Sequence, residues 1–296
     1  MKRKLTKRIF SVVTALAVFA ALPLAFTQNA YAASKEKTFY VPVSYDYIND
    51  GNPSYSAKYI YDDNGLLKEI KDTNGRRVFS RNSKGYLTGM AEYSDDYDKG
   101  PVSKYVFKYK FNKRGLPVTE KNYEQRKTKK ILRSTRTFTY YANRNVKKMV
   151  LKRPDGKYYE IHKFRKNGTP KSSYYKSSYP NYSGYESVTY DKHGNMLTYK
   201  TGAGSFRHHL KYDKRGNLIK DECTDLERVK RTETYKYTYD KHNNILKCVF
   251  KARGKGPGES YTENTVDKYT YEPVRSKKPY WHFFSKNDLF YWEEYL

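Results

Sequence analysis

The nine residues YDKRGNLIK at 212–220 recur almost unchanged as YDKHGNMLT at 190–198 and YDKHNNILK at 239–247. A chain that writes one short pattern at intervals of 22 and 27 residues repeats a small structural unit rather than a single site. The pattern is Tyr-Asp, two polar residues, Gly or Asn, and an apolar residue two positions on. Looser copies hold Gly65 (YIYDDNGLL), Gly85 (FSRNSKGYL), Gly115 (YKFNKRGLP), Asn145 (TYYANRNVK) and Gly168 (HKFRKNGTP), in series with Gly194, Gly216 and Asn243. YDYINDGNP at 45–53 and YTYEPV at 269–274 read as degenerate opening and closing copies.

The chemistry of the unit is that of a tight turn. Asp62, Asp191, Asp213 and Asp240 stand where a carboxylate accepts from the backbone ahead of it. The Gly takes the left-handed conformation that closes a type I turn with a bulge. Its two replacements, Asn145 and Asn243, are of the non-Gly type that best tolerates positive φ. Counting outward places Tyr61 opposite Leu67, Tyr190 opposite Met196, Tyr212 opposite Leu218 and Tyr239 opposite Ile245. Phe107, Tyr109 and Phe111, and again Tyr235, Tyr237 and Tyr239, alternate with Lys and Thr, the two-residue period of a strand with one covered face. Aliphatic residues are scarce against 34 Tyr, so tyrosine must build the interior. The expected fold is all-β: a long antiparallel β-hairpin meander, a curved or rolled open sheet. Repeat turns line one edge and irregular return loops the other, where recognition commonly resides.

Four segments follow. Residues 1–32 carry Lys2, Arg3, Lys4, Lys7 and Arg8, then an apolar run from Ile9 to Phe26, then small residues at Ala30 and Ala32. That is the layout of a bacterial secretion signal, cleaved after Ala32. Residues 33–44 form an N-terminal lead, 45–275 the repeat domain, and 276–296 an aromatic cap holding both Trp, where SKND at 285–288 opens a short helix over the sheet's end. No second apolar span appears, so no transmembrane segment is expected after cleavage, and the protein is placed outside the cell or at its envelope.

The units at 59–67, 190–196 and 212–218 resemble YD repeats of the RHS type, whose pattern is Tyr-x-Tyr-Asp-x-x-Gly-x-Leu. The likeness covers most of 45–275 and is strongest over 187–247. It implies a β-hairpin architecture and an extracellular setting. Large relatives wind such repeats into a shell around a toxin domain or form adhesive proteins. This chain departs from them in its irregular spacing, in its shortness, and in lacking a segment that resembles the shell closure or a toxin.

Net charge points to the partner. The chain carries +28, and losing the signal leaves about +23, an excess that repels itself in a compact state and favours an anionic partner. From Gln125 to Pro154 there is no acid and there are eleven cations: Arg126, Lys127, Lys129, Lys130, Arg133, Arg136, Arg144, Lys147, Lys148, Lys152 and Arg153. Tyr140 and Tyr141 lie among them as candidate aromatic contacts. The expected role is a non-enzymatic binding or adhesion protein contacting anionic wall polymer, such as teichoic acid, or acidic glycan. Nucleic acid suits the same pattern. The alternatives are a sugar-binding module that stacks Tyr and Trp, and a structural repeat protein associated with a toxin. No catalytic, metal or cofactor motif is found, so no cofactor is expected. His193 and His242 read as solvated turn residues, and His208 and His209 as pointing to opposite faces. Cys223 and Cys248 in an exported chain favour a bridge, while an intervening strand, which would hold them about 9.5 Å apart, argues against one.

Overall fold

The computed structural model describes residues 37–276, except 63–65, 84, 95–99, 180–181, 225, 227 and 257–258. The signal-like stretch, the aromatic cap beyond Ser276 and Gly65 therefore lie outside the described residues. Among the described residues every element is a strand: β1 (Lys37–Asn49), β2 (Asn52–Tyr61), β3 (Leu67–Asp72), β4 (Gly75–Arg81), β5 (Leu87–Ser94) and β6 (Ser103–Phe111). Then come β7 (Pro117–Arg126), β8 (Lys129–Tyr140), β9 (Val146–Lys152), β10 (Tyr158–Phe164), β11 (Pro170–Tyr179), β12 (Tyr182–Tyr190) and β13 (Met196–Thr201). The last described elements are β14 (Gly204–Arg207), β15 (His209–Tyr212), β16 (Leu218–Thr224), β17 (Lys230–Tyr239), β18 (Ile245–Gly256) and β19 (Glu259–Ser276).

Apart from β14 and β15, each strand pairs antiparallel with the next, as a meander requires. The sheet is not left open, however. β1 pairs with β19 from Lys37↔Ser276 to Asn49↔Thr265, so the two ends of the meander cover each other's exposed edges. Residues 37–44, read as a lead, belong to this closing strand. The pairing changes partner at His208. β14 pairs with β13 and β15 with β16, so the two form a single strand that changes partner midway.

The repeat turns line one rim as expected. Tyr61↔Leu67, Tyr190↔Met196, Tyr212↔Leu218 and Tyr239↔Ile245 are the observed partners. In the turn at 191–195, the Asp191 N–H donates to the Asn195 carbonyl at 2.9 Å and the Gly194 N–H donates to the Asp191 carbonyl at 3.2 Å. Asp191 Oδ1 also accepts from the N–H groups of His193 and Asn195. Asp213 and Asp240 repeat this capping. Asn243 has φ 67°, as the pattern demands. Asn145 does not fill that slot. The left-handed residue of its turn is Arg144, at φ 73°, because Tyr140↔Val146 sets the register one residue earlier than the letters suggest. Asp50 and Gly51 form a two-residue hairpin turn on the opposite rim, so 45–53 is not a copy of the repeat turn.

Along strands such as β8, β9 and β18 alternate residues are buried, and these positions share one covered face of the sheet. Tyr45, Ala57, Tyr59, Leu67, Ile70, Ile245 and Tyr269 pack together across β1, β2, β3, β18 and β19. Leu218, Tyr235, Cys248, Phe250 and Ala252 form a second cluster, and Leu87, Met90 and Phe107 a third. Closure turns this face inward and leaves the other face open to solvent. Cys223 and Cys248 are buried and not bridged: β17 lies between them, with Cys223 opposite Arg231 and Cys248 opposite Tyr237.

Candidate anion-binding face

Acidic side chains are sorted to the covered face and lysines to the open one. Glu120, Glu160, Asp221, Glu233 and Asp267 are all 8% exposed or less. Arg136 faces inward with them, 2% exposed, its Nη1 2.8 Å from Glu120 Oε1. It is therefore no part of a binding surface, because β8 alternates and residue 136 falls on the inner side. His162 bridges Glu160 (Nε2 to Oε2, 2.9 Å) and Ser173 (Nδ1 to Oγ, 2.8 Å), and Ser173 Oγ sits 3.3 Å from the Tyr190 hydroxyl. Hydrolases use the same three residue types, but here Ser173 is only 3% exposed. The chain of contacts staples β10, β11 and β12 together.

Burial sets the electrostatics of this face. It pushes Asp267 up to about 6, and the Tyr45 hydroxyl, donating at 2.7 Å, opposes the shift. Burial likewise raises the Cys248 thiol to about 12, helped by the nearby Asp267 charge. Tyr45 and Tyr269 are held far above the usual phenol range, first by burial and then by Asp267.

The open face carries the opposite sign. Among the described residues, six Lys–Lys pairs stand directly opposite one another on neighbouring strands: Lys58–Lys71, Lys108–Lys121, Lys148–Lys163, Lys211–Lys220, Lys230–Lys255 and Lys247–Lys268. Like charges so placed destabilise a sheet. Asp46, Glu69 and Glu222 interrupt this field, Glu69 reaching Lys71 and Arg76 at 3.8 Å.

The eleven cations of 126–153 do not form one patch. Lys148 and Lys152 lie on the open face. Lys127, Lys129 and Lys130 are exposed at the rim of return loops. Arg126 and Arg133 both engage Glu124, an acid just before the acid-free window that faces Arg133 from the neighbouring strand. Arg144 is on the turn rim, donating to the Arg114 carbonyl at 3.2 Å. Arg153 lies over the rings of Tyr158 and Tyr179, and Lys147 is 5.9 Å from the Tyr141 ring. Tyr140 and Tyr141 are half-buried, their hydroxyls donating to the carbonyls of Pro117 and Phe164. The basic surface is therefore wider than the run of letters and differently composed.

Turn residues also do more than expected. Tyr212 donates to the carboxylate of Asp191 in the preceding turn, and Tyr239 donates to Asp213 at 3.1 Å. Asn195 and Asn217 donate to the same two hydroxyls. His193 and His242 are not merely solvated: they stack on Tyr212 and Tyr40 with centroids 4.4 and 4.0 Å apart, while Arg215 lies 4.0 Å over the Tyr239 ring. The pairs Tyr212–Asp213 and Tyr239–Asp240 thus cap their own turns and clamp the ones before. At the strand break, a pocket of about 310 Å³ is lined by Asp191, Arg207, His208, His209, Lys211 and Tyr212. His208 there points inward to Asp221, 2.6 Å away, while His209 is exposed.

No family model matches this chain, and no curated protein does. Among solved structures, a porin-like protein from Bacteroides uniformis is similar at 14% identity and TM-score 0.39, over 78% of this chain and 96% of that one. The toxin complex TcdB2-TccC3 is similar at 13% identity and TM-score 0.30, over 69% of this chain and 12% of that one. What these share with it is β-rich character. A lipid-facing role is opposed by the open face itself: a lysine on the outside of a membrane barrel costs about 2–4 kcal/mol at the bilayer midplane, and here lysine recurs strand after strand.

Proposed function

We propose that this protein works outside the cell, at the envelope, as a non-enzymatic binder of anionic polymer, related in architecture to RHS-type repeat proteins. The observation that carries the reading is the set of directly opposed lysines on the open face. Such pairs cost stability in the free protein, and a polyanion laid across them relieves the repulsion. Apart from Glu69 and Glu222, which reach Lys71 and Lys220, acids that could have neutralised them sit on the covered face, each with its own partner: Glu120 with Arg136, Glu160 with His162, Glu233 with Arg231. Teichoic-type phosphate polymers and acidic glycans are the ligands that match an extracellular setting.

The test is retention on immobilised lipoteichoic acid or polyphosphate. Displacement of counterions makes log affinity fall linearly with log salt, and binding through several lysines loses orders of magnitude between about 0.05 and 0.2 M. Retention that is indifferent to salt refutes the electrostatic mechanism.

A further inference from the structure

One row of the open face runs straight across seven strands: Lys108, Lys121, Thr135, Lys152, Tyr159, Lys176 and Tyr185, each the register partner of the next. Its last four members alternate cation and aromatic ring. Lys152 Nζ is 5.7 Å from the centroid of the Tyr159 ring, and Tyr185 is 40% exposed. The acids next in sequence to these tyrosines, Glu160 and Glu186, fall on the covered face, Glu160 bonded to His162. At about 4.8 Å per strand, the two lysines and the two tyrosines are each spaced about 9.6 Å apart.

We propose that this row is a binding track for an acidic polysaccharide that carries its charge on every second sugar. The proposal rests on the polyanion reading and narrows it. A sugar ring advances its chain by roughly one strand spacing, so each uncharged pyranose would lie over a tyrosine and each acid beside a lysine. A polymer charged at every unit, such as polyphosphate or polygalacturonate, would set an anion against each ring. In a nucleic acid every unit carries both a phosphate and a base side by side. Its protein contacts therefore fall in two parallel tracks, whereas this row is a single file.

Binding of hyaluronan oligosaccharides, with one carboxylate per two sugars, is compared with oligogalacturonate of equal charge, polyphosphate and oligo-dT at about 0.15 M salt. Hyaluronan is expected to bind at least about tenfold more tightly than oligogalacturonate, and Tyr159→Leu with Tyr185→Leu to remove that advantage, one stacked ring accounting for about tenfold or more. Tyr159→Phe, which keeps the ring, retains it, and polyphosphate binding changes less than about twofold in all variants. Melting curves confirm that the variants are folded. Equal affinity for the two glycans, or no effect of losing the rings, overturns the track while polyphosphate binding leaves the general reading standing. Ring-dependent binding of oligo-dT above hyaluronan overturns it in favour of nucleic acid. Failure to bind any of the four removes the polyanion reading as well.

Discussion

The covered and open faces of this sheet are built from the same strands and differ in what each asks of a charge. On the covered face a charge is paired or driven towards neutrality, as with Glu120 beside Arg136 and Asp267 with its raised carboxyl. On the open face lysines face lysines. Burial penalises an unpaired charge by several kcal/mol, whereas water screens an exposed one. The strands can therefore be strongly basic outside only because the acids are spent inside, and strand alternation performs the sorting.

The largest effect should come from breaking a covered pair. Arg136→Met strands Glu120 in the interior and should cost about 3–5 kcal/mol in urea unfolding, whereas Arg136→Met with Glu120→Leu should recover most of the loss. A double variant as unstable as the single one would mean the pair is not isolated on a covered face.

Asp267 gives the next effect, with a pH signature. Its folded carboxyl titrates near 6, above the ordinary value of 3.8. The folded state thus binds this proton more tightly than the unfolded state does. The cost of the charged form is fully present above about pH 6 and disappears as pH falls towards 4. Asp267→Asn, which can still accept from Tyr45, should stabilise the protein by up to about 3 kcal/mol at pH 8 and by almost nothing at pH 4. Equal stabilisation at both pH values would show that burial of the charge is not the cause.

Smaller still is the turn clamp. Tyr239→Phe removes the hydroxyl shared by Asp213 and Asn217 and should cost roughly 1 kcal/mol. Tyr212→Phe should do the same through Asp191 and Asn195. Asp213 is held below the ordinary carboxylate range: burial raises it, and the hydrogen bonds from Asn217, Tyr239 and Arg215 outweigh burial. That stabilisation is present above the ordinary pKa and lost as pH falls through the folded one. Acid unfolding of Tyr239→Phe should accordingly begin at higher pH than in the wild type.

What could be read in the letters was what is local. The turn and its flanking Tyr–apolar pair lie within seven residues, so spacing alone identified partners such as Tyr212 and Leu218. The slip at Asn145 arose because Tyr141 stands in the Asp position, leaving no carboxylate to mark the start of that turn. Closure of β1 on β19 joins residues more than two hundred positions apart, which no local pattern encodes. The basic run misled for a similar reason. Arg136 turned inward and Glu124 reached Arg133 across strands, so which face a cation occupies, rather than how many stand in sequence, decides whether a ligand meets it.

One variant tests whether the outer lysines are held at a cost to the fold for the sake of binding. Replacing Lys121, Lys163, Lys211 and Lys247 with Thr removes one member of four opposed pairs and inserts a good strand former. The expected result is a higher melting temperature together with weaker, less salt-sensitive binding of polyphosphate. A lower melting temperature, or affinity and salt slope unchanged from the wild type, would contradict it.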